Sequence, residues 1–398
     1  MNTSNQPLCV LLIGLTAIAS TEGAEPPAAP KLANETRIFD LDESRDIREN
    51  RGMHSMRLSP DGKKLLYIQR VTFPGGPTTP RPRGAPNKPA RFRRGYRLVL
   101  RDIKAAKDTT LPGAPLRSDD FIVMFVSMRP FSHDGKKLVL PVGTDEDGDG
   151  IHNLEKEKMD LVLYDVASGK TAKLDLASPV IFPAFSGDGK QLIVLTMVKE
   201  KQGTLHVAPV APADKIKFRN LSVWGLPRSP CPGAPALPLL LPPARDEGQE
   251  TRRGGSFILY DIKADKRLTV LPAQSQGKLD DYNPQWTADG RYLYYADTET
   301  DASPDGKTRR KTVTRVWDRT KSAETAVIEG VVPVGPGPGK SAVVLAGPGS
   351  GGACIHDAAA EKISPLPEVR FINAQGRFLL YVKQAKDGAK AVYRAEVR

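Results

Sequence analysis

Ser59-Pro60-Asp61-Gly62-Lys63-Lys64-Leu65-Leu66-Tyr67 is the stretch that decides the fold. A hydroxyl residue, an Asp-Gly pair and a lysine lead into a run of apolar residues. Glycine takes the positive φ of a tight turn at no Cβ cost. Asp and Ser side chains bond backbone amides within such turns. Leu and Tyr then suit a pleated, half-buried strand. The stretch therefore reads as the bend of a β-hairpin.

The same pattern recurs along the chain. Ser132-His133-Asp134-Gly135-Lys136, Ser186-Gly187-Asp188-Gly189-Lys190 and Thr287-Ala288-Asp289-Gly290-Arg291 each precede an apolar run, and Asn373-Ala374-Gln375-Gly376-Arg377 is a weaker copy. A second pattern follows at variable distance: an apolar strand ending in Asp, then a polar turn. Leu98-Val99-Leu100-Arg101-Asp102-Ile103, Leu161-Val162-Leu163-Tyr164-Asp165-Val166 and Phe257-Ile258-Leu259-Tyr260-Asp261-Ile262 carry it, with poorer copies at Val316-Trp317-Asp318 and Cys354-Ile355-His356-Asp357. Two hairpins in succession make four strands, which is one propeller blade. With 35 Gly and 35 Pro, the composition also fits many short strands and turns rather than helices.

The turn glycines count the blades. Gly62, Gly135, Gly189, Gly290 and Gly376 are separated by 73, 54, 101 and 86 residues. The two longest gaps each conceal a blade that has lost its turn motif, one near Gly233 and one near Gly339, where Gly339-Lys340-Ser341-Ala342-Val343 keeps the glycine and the strand. The expectation is an all-β propeller of four-stranded blades, seven in number, with six and eight as the neighbouring counts. The last blade, from about Val369, is one strand short. Thr36-Arg37-Ile38-Phe39-Asp40-Leu41 can supply that strand and leave no open sheet edge.

These turns and strands resemble the WD-like propeller repeat of the TolB family, which also occurs in the propeller domains of prolyl-oligopeptidase-type enzymes. The resemblance covers roughly residues 53–398 and departs in the fourth and sixth blades. It implies the fold and leaves the role open, because propellers host many functions. It carries over no catalytic residue. Gly347-Pro348-Gly349-Ser350-Gly351-Gly352 approaches a nucleophile elbow but has Pro348 at the first glycine position, and the propeller leaves no room for a conventional hydrolase domain.

The N-terminus reads as an export signal. Leu8 to Ile18 is apolar apart from Gly14 and Thr16, and Ala17-Ile18-Ala19 and Gly23-Ala24 are candidate cleavage sites. The expected organisation is a signal peptide over 1–24, a linker over 25–35 and a propeller over 36–398. The mature chain would lie in the periplasm or outside the cell, with no transmembrane segment. Of three cysteines, Cys9 would leave with the signal; Cys231 and Cys354 read as two independent thiols, with one bridge as the alternative. The formal net charge is +12, and removal of Glu22 with the signal would make it +13. A basic exported protein suits anionic envelope polymers or a protein partner rather than nucleic acid.

Two interruptions of the repeat carry the candidate sites. The Pro- and Gly-rich insertion over 73–97 holds Arg81, Arg83, Lys88, Arg91, Arg93, Arg94 and Arg97 with no acid between Arg81 and Arg97. It reads either as a polyanion-binding arm, with Phe92 and Tyr96 for stacking, or as a solvated insertion. Asp145, Asp147 and Asp149 have the spacing of calcium-loop positions 1, 3 and 5, with Gly150 at position 6, the Ile151 carbonyl at 7 and Asn153 at 9. Position 12 is Lys156, flanked by Glu155 and Glu157, so the bidentate Glu is out of register. The alternatives are a structural Ca2+ site and a metal-free Asp-Gly turn. A third irregular segment, 226–252, is Pro-rich and reads as an insertion or a reading-frame artefact.

His54, His133, His152, His206 and His356 show no metal-ligand spacing, and Trp224, Trp286 and Trp317 read as core. The expected function is non-catalytic binding of a protein or envelope polymer through the loops and channel face, by a chain expected to be a monomer. The alternative is a propeller lyase or hydrolase acting on acidic glycans from a channel-centred site. Three or more His or acidic side chains converging on one channel mouth would favour the enzyme.

Overall fold

The computed structural model describes residues 30–41, 56–73, 93–116, 129–152, 157–176, 180–197, 203–241 except 224 and 233, 257–271, 284–302, 308–347, 352–366, 370–385 and 387–397. They form seven antiparallel sheets. Strand β1 (Leu32–Asp40) stands apart in sequence from the rest of its sheet. Blade 1 contains β2 (Met56–Leu58), β3 (Lys64–Phe73), β4 (Arg93–Asp102) and β5 (Lys107–Thr110). Blade 2 contains β6 (Lys137–Gly143), β7 (Met159–Asp165) and β8 (Thr171–Leu174). Its innermost position is marked by the Phe131–Leu138 bridge and the Val139 amide bonded to the Pro130 carbonyl.

Blade 3 is β9 (Val180–Phe185), β10 (Gln191–Met197), β11 (Gly203–Pro209) and β12 (Arg219–Asn220). Blade 4 is β13 (Leu226–Pro227), β14 (Ala236–Leu240), β15 (Phe257–Asp261) and β16 (Lys266–Leu271). Blade 5 is β17 (Gln285–Trp286), β18 (Tyr292–Ala302), β19 (Thr308–Asp318) and β20 (Ala323–Glu329). Blade 6 is β21 (Val332–Pro336), β22 (Ala342–Ala346), β23 (Ala353–Asp357) and β24 (Lys362–Leu366). Blade 7 is β25 (Arg370–Gln375), β26 (Phe378–Gln384) and β27 (Lys390–Val397), completed by β1 in the order β1-β27-β26-β25. The fold is thus an all-β, seven-bladed propeller, and the eroded fourth and sixth blades stand where the glycine spacing placed them.

The N-terminal strand closes the ring as the outermost strand of blade 7. It begins at Leu32, so residues 32–35, expected in a linker, belong to the sheet. Asn34 takes a left-handed φ of 52° where the register with β27 shifts between Ala33 and Thr36. Asn tolerates that conformation, and such an irregularity lets a strand continue past a kink. Ile38 and Phe39 then pack with Met56, Leu65 and Tyr67 of blade 1 and Leu380 and Val392 of blade 7. The closing strand is therefore held by the apolar layer between first and last blades as well as by its ladder.

The Pro-rich segment is also within the sheet. The irregular reading of 226–252 is corrected for Leu226–Pro227 and Ala236–Leu240, which are the first two strands of blade 4, and every residue of β14 is buried. Pro238 explains why the inner strand is short. The Arg228 amide donates to the Pro238 carbonyl at 2.9 Å, but Pro238 has no N–H to return the bond, so the ladder ends at Pro227–Leu239. Prolines are tolerated where the missing donor faces the end of a two-residue strand. Among the described residues no helix is long and apolar enough to cross a membrane.

Candidate functional site

The repeat turn is a small hydrogen-bonded unit. Ser59 Oγ donates to Asp61 Oδ1 (2.6 Å) and accepts from the Lys64 amide (2.9 Å), while Asp61 Oδ1 accepts from the Lys63 amide (3.1 Å). Ser132 with Asp134, Ser186 with Asp188 and Thr287 with Asp289 repeat the arrangement, with hydroxyl–carboxylate distances of 2.7, 2.6 and 2.5 Å. Their glycines lie at φ between 67° and 70°. Four of the seven blades thus turn identically, which aligns their innermost strands around one axis.

Those turns build a cavity at the mouth of the central channel. Pro60, His133, Gly187 and Ala288 occupy the variable second position of the four intact turns, and all four line it. Pro232, Pro336 and Gln375 line it from blades 4, 6 and 7, so every blade contributes. The cavity has a volume of about 170 Å³. Two arginines enter it: Arg57 from β2 and Arg129 from the inner edge of blade 2. Arg57 is 6% exposed. The Nε of Arg129 is fully buried with no hydrogen-bond partner among the described residues. Burial, followed by the charge of Arg129, pushes the Arg57 guanidinium down to about 9. Burial likewise lowers Arg129. Among the described lining residues there is one histidine and no carboxylate.

Sequence reasoning missed both arginines. The available signal was a charged residue between two core residues, Met56-Arg57-Leu58, two positions before a repeat turn. A charge there is out of place in a strand that packs on both sides.

The acidic loop is folded around its own backbone. Asp145 accepts from the Asp149 and Gly150 amides (3.0 and 2.8 Å), Asp147 from Asp149 (3.1 Å) and Asp149 from Ile151 (2.9 Å). Oxygens of Asp145, Asp147 and Asp149 lie within 4.8 Å of one another. Gly148 and Gly150 take φ of 73° and 84°, which lets successive carboxylates face inward. Ile151 is buried, and Asn153 lies outside the described residues. Glu157, one position beyond the expected ligand, reaches back: its Oε1 accepts from the Glu146 amide at 2.8 Å. His152 is fully buried beside it, Nδ1 donating to the Thr144 carbonyl (2.9 Å) and standing 3.5 Å from Glu157 Oε2.

The basic insertion is shorter than expected. Arg93, Arg94 and Arg97 lie on β4, paired with Phe73, Thr72 and Gln69 of β3, because the hairpin continues past the blade body. Arg97 Nε donates to Gln69 Oε1 at 2.9 Å. Tyr96, offered as a stacking residue, is instead buried, with its backbone bonded to Leu116. Arg81, Arg83, Lys88, Arg91 and Phe92 lie outside the described residues.

The remaining candidates do not converge. His206 bonds Thr196 Oγ1 (2.8 Å) within blade 3, and His356 Nδ1 bonds the Tyr294 hydroxyl (2.7 Å) between blades 5 and 6. Burial lowers both imidazoles. His54 lies outside the described residues. Cys231 and Cys354 are free thiols, pushed by burial up to about 12 and about 11. Trp286 is core, its Nε1 donating to the Ser229 carbonyl, and Trp317 is buried near it.

Solved structures share this architecture at low identity. The WD40 repeats of RRP9 match with a TM-score of 0.51 and 11% identity, over 93% of this chain and 99% of that one. The β-propeller domain of the Trilobed protease from Pyrococcus furiosus, described as an open velcro topology, matches at 0.51 and 12%, over 86% and 95%. TolB from Acinetobacter baumannii matches at 0.39 and 13%, over 69% of this chain and 53% of that one, so the chain spans about half its length. At these identities the likeness is one of fold alone. No family model matches the chain, and no curated protein matches its sequence.

Proposed function

We propose that this chain is an exported, non-catalytic binding propeller of TolB type, which grips a protein or an envelope polymer at its channel face in the periplasm or outside the cell. The observation that carries this reading is the composition of the channel mouth. Seven blades converge on a cavity lined by Pro, Gly, Ala, Ser and two arginines, with one histidine and no acidic side chain among the described residues. General acid–base chemistry on a glycan calls for a carboxylate or a paired base at such a place. A basic, apolar mouth suits recognition of a partner with negative charge.

The test is capture of a partner from envelope extract. Ala288 is exposed at the mouth, so Ala288→Glu adds a negative charge there without disturbing the core. Capture should fall at least tenfold. Val327→Glu, on the exposed outer strand β20, should leave it unchanged. Equal capture by wild type and Ala288→Glu would remove the channel from the binding surface.

A second, structural reading concerns the acidic loop: it binds Ca2+ and orders the connection between β6 and β7. Three carboxylates gathered within 4.8 Å support it, because a divalent cation offsets their mutual repulsion. Glu157 is close enough to accept loop amides, so it can stabilise the loop without serving as the bidentate ligand. Millimolar Ca2+ should raise the melting temperature of the wild type and leave Asp147→Ala unmoved. The same response from both proteins, or none from either, rejects calcium at this loop.

A further inference from the structure

We infer that the channel mouth is an oxyanion-binding site in which Arg57 and Arg129 together receive a carboxylate or phosphate group of the ligand. This deepens the channel-binding reading by naming the ligand's end group, and its test is chosen to stand apart from partner capture.

The chain shows what a satisfied buried arginine looks like. Arg315, almost wholly buried in blade 5, has a carboxylate on each nitrogen: Asp297 on Nε (2.7 Å), Glu324 on Nη1 (2.9 Å) and Glu299 on Nη2 (2.9 Å). Arg101 is less completely met, with Nη1 on Asp108 (2.9 Å), Nη2 on the Ile38 carbonyl (2.9 Å) and its buried Nε without a partner among the described residues. Among the described residues Arg57 and Arg129 have no such partners. Burial and the charge of Arg129 act on the ionisation of Arg57, and burial and the Cys231 thiol on that of Arg129; no carboxylate is among them. Buried Arg57 and half-buried Arg129, whose Nε is enclosed, are therefore set against the same cavity.

Desolvating a charge without a counter-charge opposes folding, and two like charges oppose it further. The arrangement makes sense where a ligand supplies the missing negative charge. Guanidinium forks match the planar or tetrahedral oxygens of carboxylate and phosphate, and a desolvated site strengthens that bond. Ser132 and Ser186 line the same cavity, but their hydroxyl hydrogens are given to Asp134 and Asp188, so the guanidinium groups are the donors left for a ligand. Chemical selectivity follows from the absence of acids among the described lining residues: a cationic ligand would meet repulsion from both arginines.

Size restricts what can enter. At about 170 Å³ the cavity is below the usual span of pockets that enclose a whole small-molecule ligand. It holds roughly five or six waters' worth of space at ~30 Å³ each. A terminal anionic group fits, with the rest of the ligand left outside on the ring of turns.

The experiment is thermal unfolding of the full chain in a low-salt amine buffer, titrated with inorganic phosphate or with acetate, against sodium chloride of matched ionic strength. Phosphate, acetate or both should raise the wild-type midpoint by about 2 °C at ten times Kd, beyond the chloride control. Which anion acts more strongly distinguishes a phosphate-ended from a carboxylate-ended ligand. Arg57→Met and Arg129→Met should each lose that rise. Each should also melt above the wild type in anion-free buffer, since a buried unpaired charge has been removed. Calorimetric titration with phosphate or acetate should give one site per chain in the wild type and none in either variant. A rise equal to that with chloride, a rise retained in both variants, or no binding of either anion would overturn the inference. Partner capture that survives both substitutions would move the partner away from the channel and would leave the anion result unaffected.

Discussion

At the scale of single residues, the turn glycine answers two demands, and they can be separated. Gly290 has φ of 67°, and a Cβ there would stand 2.1 Å from the Pro232 carbonyl oxygen of the neighbouring blade. Gly376 has φ of 58°, and a Cβ there would meet nothing within 4 Å. Gly376→Ala should therefore cost only the left-handed conformation, about 1 kcal/mol. Gly290→Ala should cost more, on the order of 3 kcal/mol, because the backbone of blade 4 must also shift. Urea unfolding of both variants tests this; equal losses would show that blade-to-blade contact at the turn carries no weight. The first demand was legible in the sequence, since Asp-Gly announces a turn. The second was not, because the residue that Gly290 abuts lies nearly sixty positions away in a blade with no recognisable motif.

At the scale of elements, the most consequential strand is β1. It satisfies the otherwise open edge of β27 and buries Ile38 and Phe39 between the first and last blades. Ion pairs tie it down at its rim, with Glu35 contacting Lys383 and the Tyr381 hydroxyl, and Arg37 bonding Asp387 at 3.0 Å. Deleting residues 25–41 should lower stability by on the order of 5 kcal/mol or more, from two lost core side chains and a ladder. It should also promote self-association through the exposed edge of β27. Thermal melting and light scattering would report both; a monomer with an unchanged midpoint would show that closure is dispensable. The sequence announced this strand by its alternation after an apparent deficit in the last blade. It did not announce that Pro-rich residues 236–240 form a buried strand, because tolerance of Pro238 depends on which side its missing donor faces. The turn motif alone does not mark a blade; the apolar run after it does. Ser303-Pro304-Asp305-Gly306-Lys307 spells the same turn, yet it joins β18 to β19, and polar residues follow it in place of an apolar run.

At the scale of the molecule, repetition makes acid stability a collective property. Asp134 is held below its usual 3.8 by the Ser132 hydroxyl and the Lys136 amide, and Asp165 by the Ser168 amide and hydroxyl. Asp61 and Asp357 are lowered by Ser59 and Ser341 against the opposing effect of burial. For Asp318 burial also opposes, but Arg291 and Thr320 bring it down to about 2. A carboxylate whose folded-state value is depressed stabilises the fold above its unfolded value, and loses that contribution as pH falls through the folded value. These groups should therefore contribute fully above about pH 4 and lose their contribution as pH falls below it, that of Asp318 as pH falls through about 2. The unfolding midpoint should drop steeply over that window, and less steeply in Asp318→Asn. A midpoint that stays flat down to pH 2 would contradict this account.

The same repetition marks the boundary between sequence and tertiary structure. The hairpin turn, the blade and the count of seven followed from the sequence itself, because each rests on contacts between residues a few positions apart or on a pattern that recurs, and the closing strand followed from the one the last blade lacked. The identity of the channel mouth did not. Arg57 and Arg129 lie 72 positions apart in different blades, and nothing near either in sequence points to the other. Only closure of the ring sets them against one cavity, away from water and from every described carboxylate, because the propeller axis is the place where all seven inner strands meet.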